Sequence, residues 1–253
     1  TRMNYQRHAW GWALAAACAV GLLNAPAHAI AGFGIHAGKD FVSISEGSFD
    51  RAKFEAAGTR LGLTGVNWAN WNSVTLTRKE ISSPWLIGVH AYIDAIPYID
   101  LEVSVDGAIS QYRVDYRSTL NPAVNESKDV YFGRVGAYGT VRRDIVKFPP
   151  VVPIAALYFG GGLSYNFIAP VAGPDLIVNA YGTDNPTTRQ PDIAKLVERE
   201  GTFGWHGLVG FRIKPPVVPI ALRLEGKYTS TGISTYERPK SIFSAYLGTS
   251  FAF

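Results

Sequence analysis

The sequence predicts an all-β protein: an eight-stranded antiparallel up-and-down β-barrel that crosses a membrane, with ten strands as the alternative count. Three observations predict it. Apolar and polar residues alternate with period two through most of the chain, and the polar set includes many ions of both signs. Connections between the alternating runs are by turns short and long. The chain opens on an export-type leader and ends on SAYLGTSFAF, which places aromatic rings where a water-soluble chain would fray.

Residues 1–29 read as a signal peptide, with Met3 as the start. Arg7 supplies positive charge, Trp10 to Leu23 an apolar stretch, and Ala27-His28-Ala29 a small-residue cleavage site. An N-terminal anchor is the alternative, and a lipoprotein signal ending at Cys18 is a weaker one. The predicted mature domain is 30–253. Cleavage removes Cys18, the only cysteine, so no disulfide or thiol chemistry is expected. It also removes Arg2 and Arg7 and no acid, taking the net charge from +4 to +2. Charge this small and dispersed carries no basic tract, so nucleic acid is excluded as a partner. Beyond the leader, no apolar run reaches the roughly 20 residues of a membrane-spanning helix.

The eight strands are placed at 32–46, 85–94, 98–117, 128–146, 154–169, 202–213, 220–232 and 241–253. In PYIDLEVSVDGAIS, Leu101, Val103 and Val105 share one face, while Asp100, Glu102 and Asp106 share the other. The polar face continues with Arg134, Arg142, Arg212, Arg223, Glu225 and Lys227. Three acids on one strand face cannot enter a dry core unpaired. Beyond Ser110 the apolar set becomes Tyr112, Val114 and Tyr116, which marks either a bulge or the strand's exit from lipid. SVTLTRKE in the first long connection is either a hairpin arm above the membrane or an additional strand. Tight turns are expected near 94–97, 148–153 and 214–219, and long loops at 47–83, 118–127, 170–201 and 233–240. PPVVPIA occurs in two of the tight turns, where proline would stop the ladder at the rim.

Two architectures fit such alternation: a soluble barrel or sandwich, greasy inside, and a membrane barrel, greasy outside. The ions on the polar face favour the second, as do Trp85, Tyr131, Phe203, Trp205, Phe251 and Phe253, which sit toward strand ends like interfacial girdles. Tyr246-x-Gly248-x-x-Phe251-x-Phe253 resembles the C-terminal β-signal of Gram-negative outer-membrane barrels, although Tyr246 stands where a polar residue is usual. Most of the mature chain is similar in pattern to the small barrels of the OmpA-transmembrane, OmpX and OmpW sort. The resemblance implies an outer-membrane location, assembly by the barrel-assembly machinery and contact with outer-membrane lipid and lipopolysaccharide.

An eight-stranded lumen is just wide enough for side chains. The inward ions should therefore pair, acids of the third strand against Arg134 and Arg142 of the fourth, into a closed polar core. The rival reading makes them a path for a small solute. His36, His90 and His206 share the inward parity but stand singly, without metal-ligand spacing. No metal, cofactor or catalytic residue is predicted, and no local motif selects a Ser–His–acid set. Among the loops, SFDRAKFEAAGTRL and PDIAKLVERE read as short helices, and Trp68 and Trp71 as loop contacts that pack or bind. The expected role is structural or surface-binding, with passive uptake of a small solute as the alternative and lipid hydrolysis behind it.

Overall fold

The computed structural model describes residues 30–96, 99–149, 154–169, 171–191, 201–215, 218–232 and 239–252. The predicted signal peptide, the centres of the tight turns, most of PDIAKLVERE and Phe253 lie outside them.

Eight long strands close a ring. They are β1 (Ile30–Phe41), β6 (Trp85–Ile96), β7 (Ile99–Ser118), β8 (Glu126–Phe148), β9 (Ala155–Ile168), β10 (Gly201–Ile213), β11 (Ile220–Ser230) and β12 (Ser241–Ala252). Each pairs antiparallel with its neighbours, and β1 pairs with both β6 and β12, from Gly32↔Ala252 to Phe41↔Phe243 on the closing side. Four short strands occupy the first long connection: β2 (Ser43–Ile44), β3 (Gly47–Phe49), β4 (Val74–Arg78) and β5 (Ile81–Ser82). SVTLTRKE supplies β4. It pairs with β7 from Val74↔Ser118 to Arg78↔Val114, above the point where β6 leaves β7 at Trp85↔Ile109. The ring therefore has eight members, and the additional strands belong to the structure above it.

Outward residues of the ring are apolar and exposed, among them Val103, Val105, Val141, Phe159, Leu163, Leu222, Leu224 and Leu247. Ring pairs mark the two edges of this band, Phe33–Phe251 at the end holding the short turns and Phe41–Phe243 at the other. Such a belt needs a hydrocarbon solvent. The inward face is buried and crowded. Tyr92 lies over Gly32 and Tyr158 over Gly210, and a Cβ on either glycine would sit 2.4 Å from the ring.

No bulge interrupts β7 at Ser110: its register with β8 runs unbroken from Asp100↔Arg142 to Tyr116↔Glu126. The parity persists and the chemistry of the two faces exchanges. Inward Glu102 and Asp106 give way to buried Tyr112, Val114 and Tyr116, while outward Val103 and Val105 give way to Gln111, Arg113 and Arg117. The strand has left the bilayer, so water is now outside and the greasy face turns in.

That inward face joins a folded cap over the barrel mouth. Asp50 caps the helix Arg51–Arg60 by accepting from Lys53 N, and Phe54, Ala57 and Gly58 are its buried side. A second helix, Pro174–Tyr181, was not anticipated from sequence. Pro174 and Asp175 open it, Gly182 ends it at φ +57°, and it buries Leu176, Ile177, Val178 and Tyr181. Arg60 and Asp175 tie the helices at 2.6 Å. Trp71 is fully buried between Phe54 (4.8 Å) and Tyr181 (5.5 Å). Tyr116 donates to Pro186 O, and burial raises its hydroxyl's pKa above the ordinary phenol value.

Gly58 sets how closely the first helix meets the loop behind it, because a Cβ there would lie 2.4 Å from the half-buried Trp68. Gly58→Ala should overpack the cap by roughly 1–3 kcal/mol. Limited proteolysis should then cut the 47–83 connection faster while the barrel keeps its folded gel mobility, and adding Trp68→Leu should restore resistance.

Candidate functional site

The lumen holds every one of the nine predicted ionic residues, arranged in three tiers. In the upper tier Arg134 makes a bidentate pair with Asp40, its Nη2 donating to Oδ1 at 2.8 Å. Arg134 Nη1 also donates to Tyr138 OH (2.7 Å), and Ser244 Oγ donates to Asp40 (2.7 Å). Lys227 Nζ donates to Asp106 at 2.7 Å and lies 3.5 Å from the Tyr138 ring centroid. All four ions are almost wholly buried.

The middle tier is centred on two glutamates. Glu102 takes Arg142 and Arg223, both at 2.9 Å. Glu225 pairs with Arg223 and accepts from the hydroxyls of Tyr158 and Tyr246. Arg142 also lies against the Tyr92 and Tyr158 rings. In the lower tier, near the short turns, Arg212 binds Asp144 at 3.1 Å and approaches Asp100 at 3.6 Å. Asp100 also faces Arg142 at 3.8 Å.

The predicted pairing of third-strand acids with Arg134 and Arg142 is present, at 3.5 Å for Asp106 and 2.9 Å for Glu102. Sequence reasoning missed Asp40, the strongest partner of Arg134, and the tyrosine hydroxyls that complete Glu225. Asp40 shares even parity with buried Gly32, Gly34 and His36 on β1, so the signal was available.

His36, His90 and His206 are buried in the lumen as their parity implies. His36 and His90 stack at 5.8 Å, yet each ring reaches toward the opposite strand: His36 Nε2 lies over Gly88 and His90 Nε2 over Gly34. They do not converge on one point, and among the described residues no group of three metal-ligating side chains comes together. Trp71 is sealed in the cap and Trp68 packs on Gly58, so the two predicted loop contacts are packing residues.

In the C-terminal motif, Tyr246 and Gly248 face inward. Tyr246 uses its hydroxyl on Glu225, which accounts for an aromatic residue where a polar one is usual, and Gly248 lies opposite His36. Phe251 faces out against Phe33.

A closed antiparallel ring with a hydrocarbon-facing exterior and an ion-filled interior defines a small membrane-spanning β-barrel. No protein-family model matches the chain, and no curated protein sequence matches it. Among solved structures it is similar to the outer membrane protein OprG of Pseudomonas aeruginosa, at 11% identity and a TM-score of 0.48 over 89% of this chain and 95% of that one. It is also similar to Neisserial surface protein A, at 12% identity and a TM-score of 0.46 over 89% and 99% of the two chains. The attachment invasion locus protein Ail of Yersinia pestis matches at 9% identity and a TM-score of 0.43, over 89% and 99%.

Arg134 is the cation that pairs with Asp40 among the described residues. Arg134→Met leaves Asp40 without its cation in a water-poor site, at an expected cost of about 3–5 kcal/mol. Urea unfolding from lipid vesicles should show that loss, and Asp40→Leu added to Arg134→Met should recover most of it.

Proposed function

We propose that this outer-membrane barrel is a closed one, and that its role, structural or surface-binding, is exercised by the folded cap outside the cell. One observation carries the reading: the passage is filled twice over. At membrane depth the ions are paired into tiers, and above them the mouth is packed with Phe54, Trp71, Tyr116, Ile177 and their neighbours. A hydrated solute would have to break both layers. Trp71 and Ile177 belong to this buried cluster, and Leu176 is buried beside Ile177 on the same helix, so none of the three lines an open entry.

The protein is read as non-catalytic. Among the described residues, the hydroxyl–imidazole hydrogen bond is Thr140 Oγ1 to His206 Nε2, at 2.9 Å inside the lumen. The other ring nitrogen, His206 Nδ1, has no hydrogen-bond partner, so no acid orients it. Residues 1–29 serve in this reading as a cleaved export signal, and Tyr246, Gly248, Phe251 and Phe253 as the segment recognised by the barrel-assembly machinery.

Planar bilayers test the closed lumen. Folded protein should give no sustained openings above the lipid baseline, whereas large ohmic steps in most insertions would establish a conducting path.

A further inference from the structure

We propose that the outer wall formed by β6, β1 and β12 binds one phosphorylated glycolipid of the outer leaflet, its acyl chain in a groove and its phosphate on Lys39. The groove has a volume of about 270 Å³ and is lined by Ile35, Ala37, Ile87, Val89, Leu247 and Thr249. Its depth follows from the register. Ala37 stands between Ile87 on β6 and Leu247 on β12, so a methyl group separates two long aliphatic side chains. One outward position below, Ile35 stands between Val89 and Thr249 and closes the lower end of the groove.

Lys39 is the next outward position above Ala37. Across the sheet it faces Trp85 on one side and Ala245 on the other, and its ammonium lies 4.7 Å from the indole centroid. Within the described lipid-facing span, the outward charges are Lys39 and Arg143, and Arg143 lies toward the short turns, opposite Phe159. Three exposed cations of the cap and rims, Lys79, Arg113 and Lys147, have carboxylate partners. Lys39 enters none of the ion pairs formed by the described residues.

Height and charge identify the occupant. From Phe33 at the inner edge, β1 climbs about 16 Å along the membrane normal to Lys39, at a strand tilt of about 40°. The Lys39 stem then carries its ammonium toward the outer headgroup level of the roughly 25 Å band. At that boundary an outward lysine costs at most about 1 kcal/mol, and a phosphate ester beside it is a favourable partner. The inference rests here on the outer-membrane reading proposed above, in which the lipid of that leaflet carries phosphate on glucosamine. Trp85, 69% exposed, adds an amphipathic ring at the same level.

Native mass spectrometry of the folded barrel released from detergent tests the site, with lipid A, its dephosphorylated form and phosphatidylglycerol added separately. One lipid A should be retained, and the other two should stay at background. Lys39→Gln and Ala37→Phe should each weaken retention about tenfold, the loss expected for one charge-assisted contact or for a filled groove. Both substitutions alter lipid-facing side chains, so folded gel mobility and bilayer silence should not change. Retention equal to wild type in both variants would overturn the proposal. Phosphatidylglycerol held as tightly as lipid A would overturn it as well.

Discussion

Inside a bilayer a peptide group can hydrogen-bond only to another peptide group, and each one left bare costs several kcal/mol. The closing ladder between β1 and β12 meets that demand, and the rest of the molecule follows from it. Eight strands are enough to close, but they leave a lumen the width of side chains. Large inward rings therefore fall over glycines on the adjacent strand, as Tyr92 does over Gly32 and Tyr158 over Gly210. Ions pointing inward have no water to retreat to, so each must find a counter-ion or hydroxyl within reach. The upper and middle tiers supply these, with Asp40, Glu102, Asp106 and Glu225 answering Arg134, Arg142, Arg223 and Lys227.

The medium outside the wall decides what the inside contains. At membrane depth β7 sends valines to lipid and acids inward. Above Ile109 it sends Arg113 and Arg117 to water and tyrosines inward. β8 makes the same exchange, from inward Arg134 to buried Phe132. One strand thus serves two cores built on opposite rules, one ionic and one greasy, without losing register. The helices of the cap need the second core, since Phe54, Ile177 and Tyr181 are buried only because the upper ends of β4, β7 and β8 face them. Even the buried Arg78 is accommodated there, donating to the carbonyls of Ala172 and Ser45.

Strand positions were legible because period-two alternation survives whichever medium lies outside. The eight predicted runs differ from the observed strands mainly at their ends, and β1 stops at Phe41 rather than at residue 46 because the chain there turns into the cap. Inward parity was legible too, and it identified the nine ionic residues and the three histidines. Partner identity was harder to read: Asp40 meets Arg134 across the barrel, which requires closure and register together. The helix Pro174–Tyr181 was missed because it is eight residues long, too short for its two polar positions, Asp175 and Asn179, to establish a period. The exchange of faces near Ser110 resembled a slip of parity because a sequence shows where apolar residues fall and says nothing of which solvent adjoins them.

The central claim is that the outward face of β7 passes from hydrocarbon to water just above Ile109, where the inward face turns greasy. Spin labels placed singly at Leu101, Val103, Val105, Ile109, Arg113 and Arg117, in protein folded into lipid vesicles, measure this directly. Labels up to Ile109 should be readily relaxed by oxygen and shielded from a water-soluble nickel chelate, and those at Arg113 and Arg117 should show the reverse. Chelate access at Val103 and Val105, or lipid-like shielding at Arg113 and Arg117, would contradict the account.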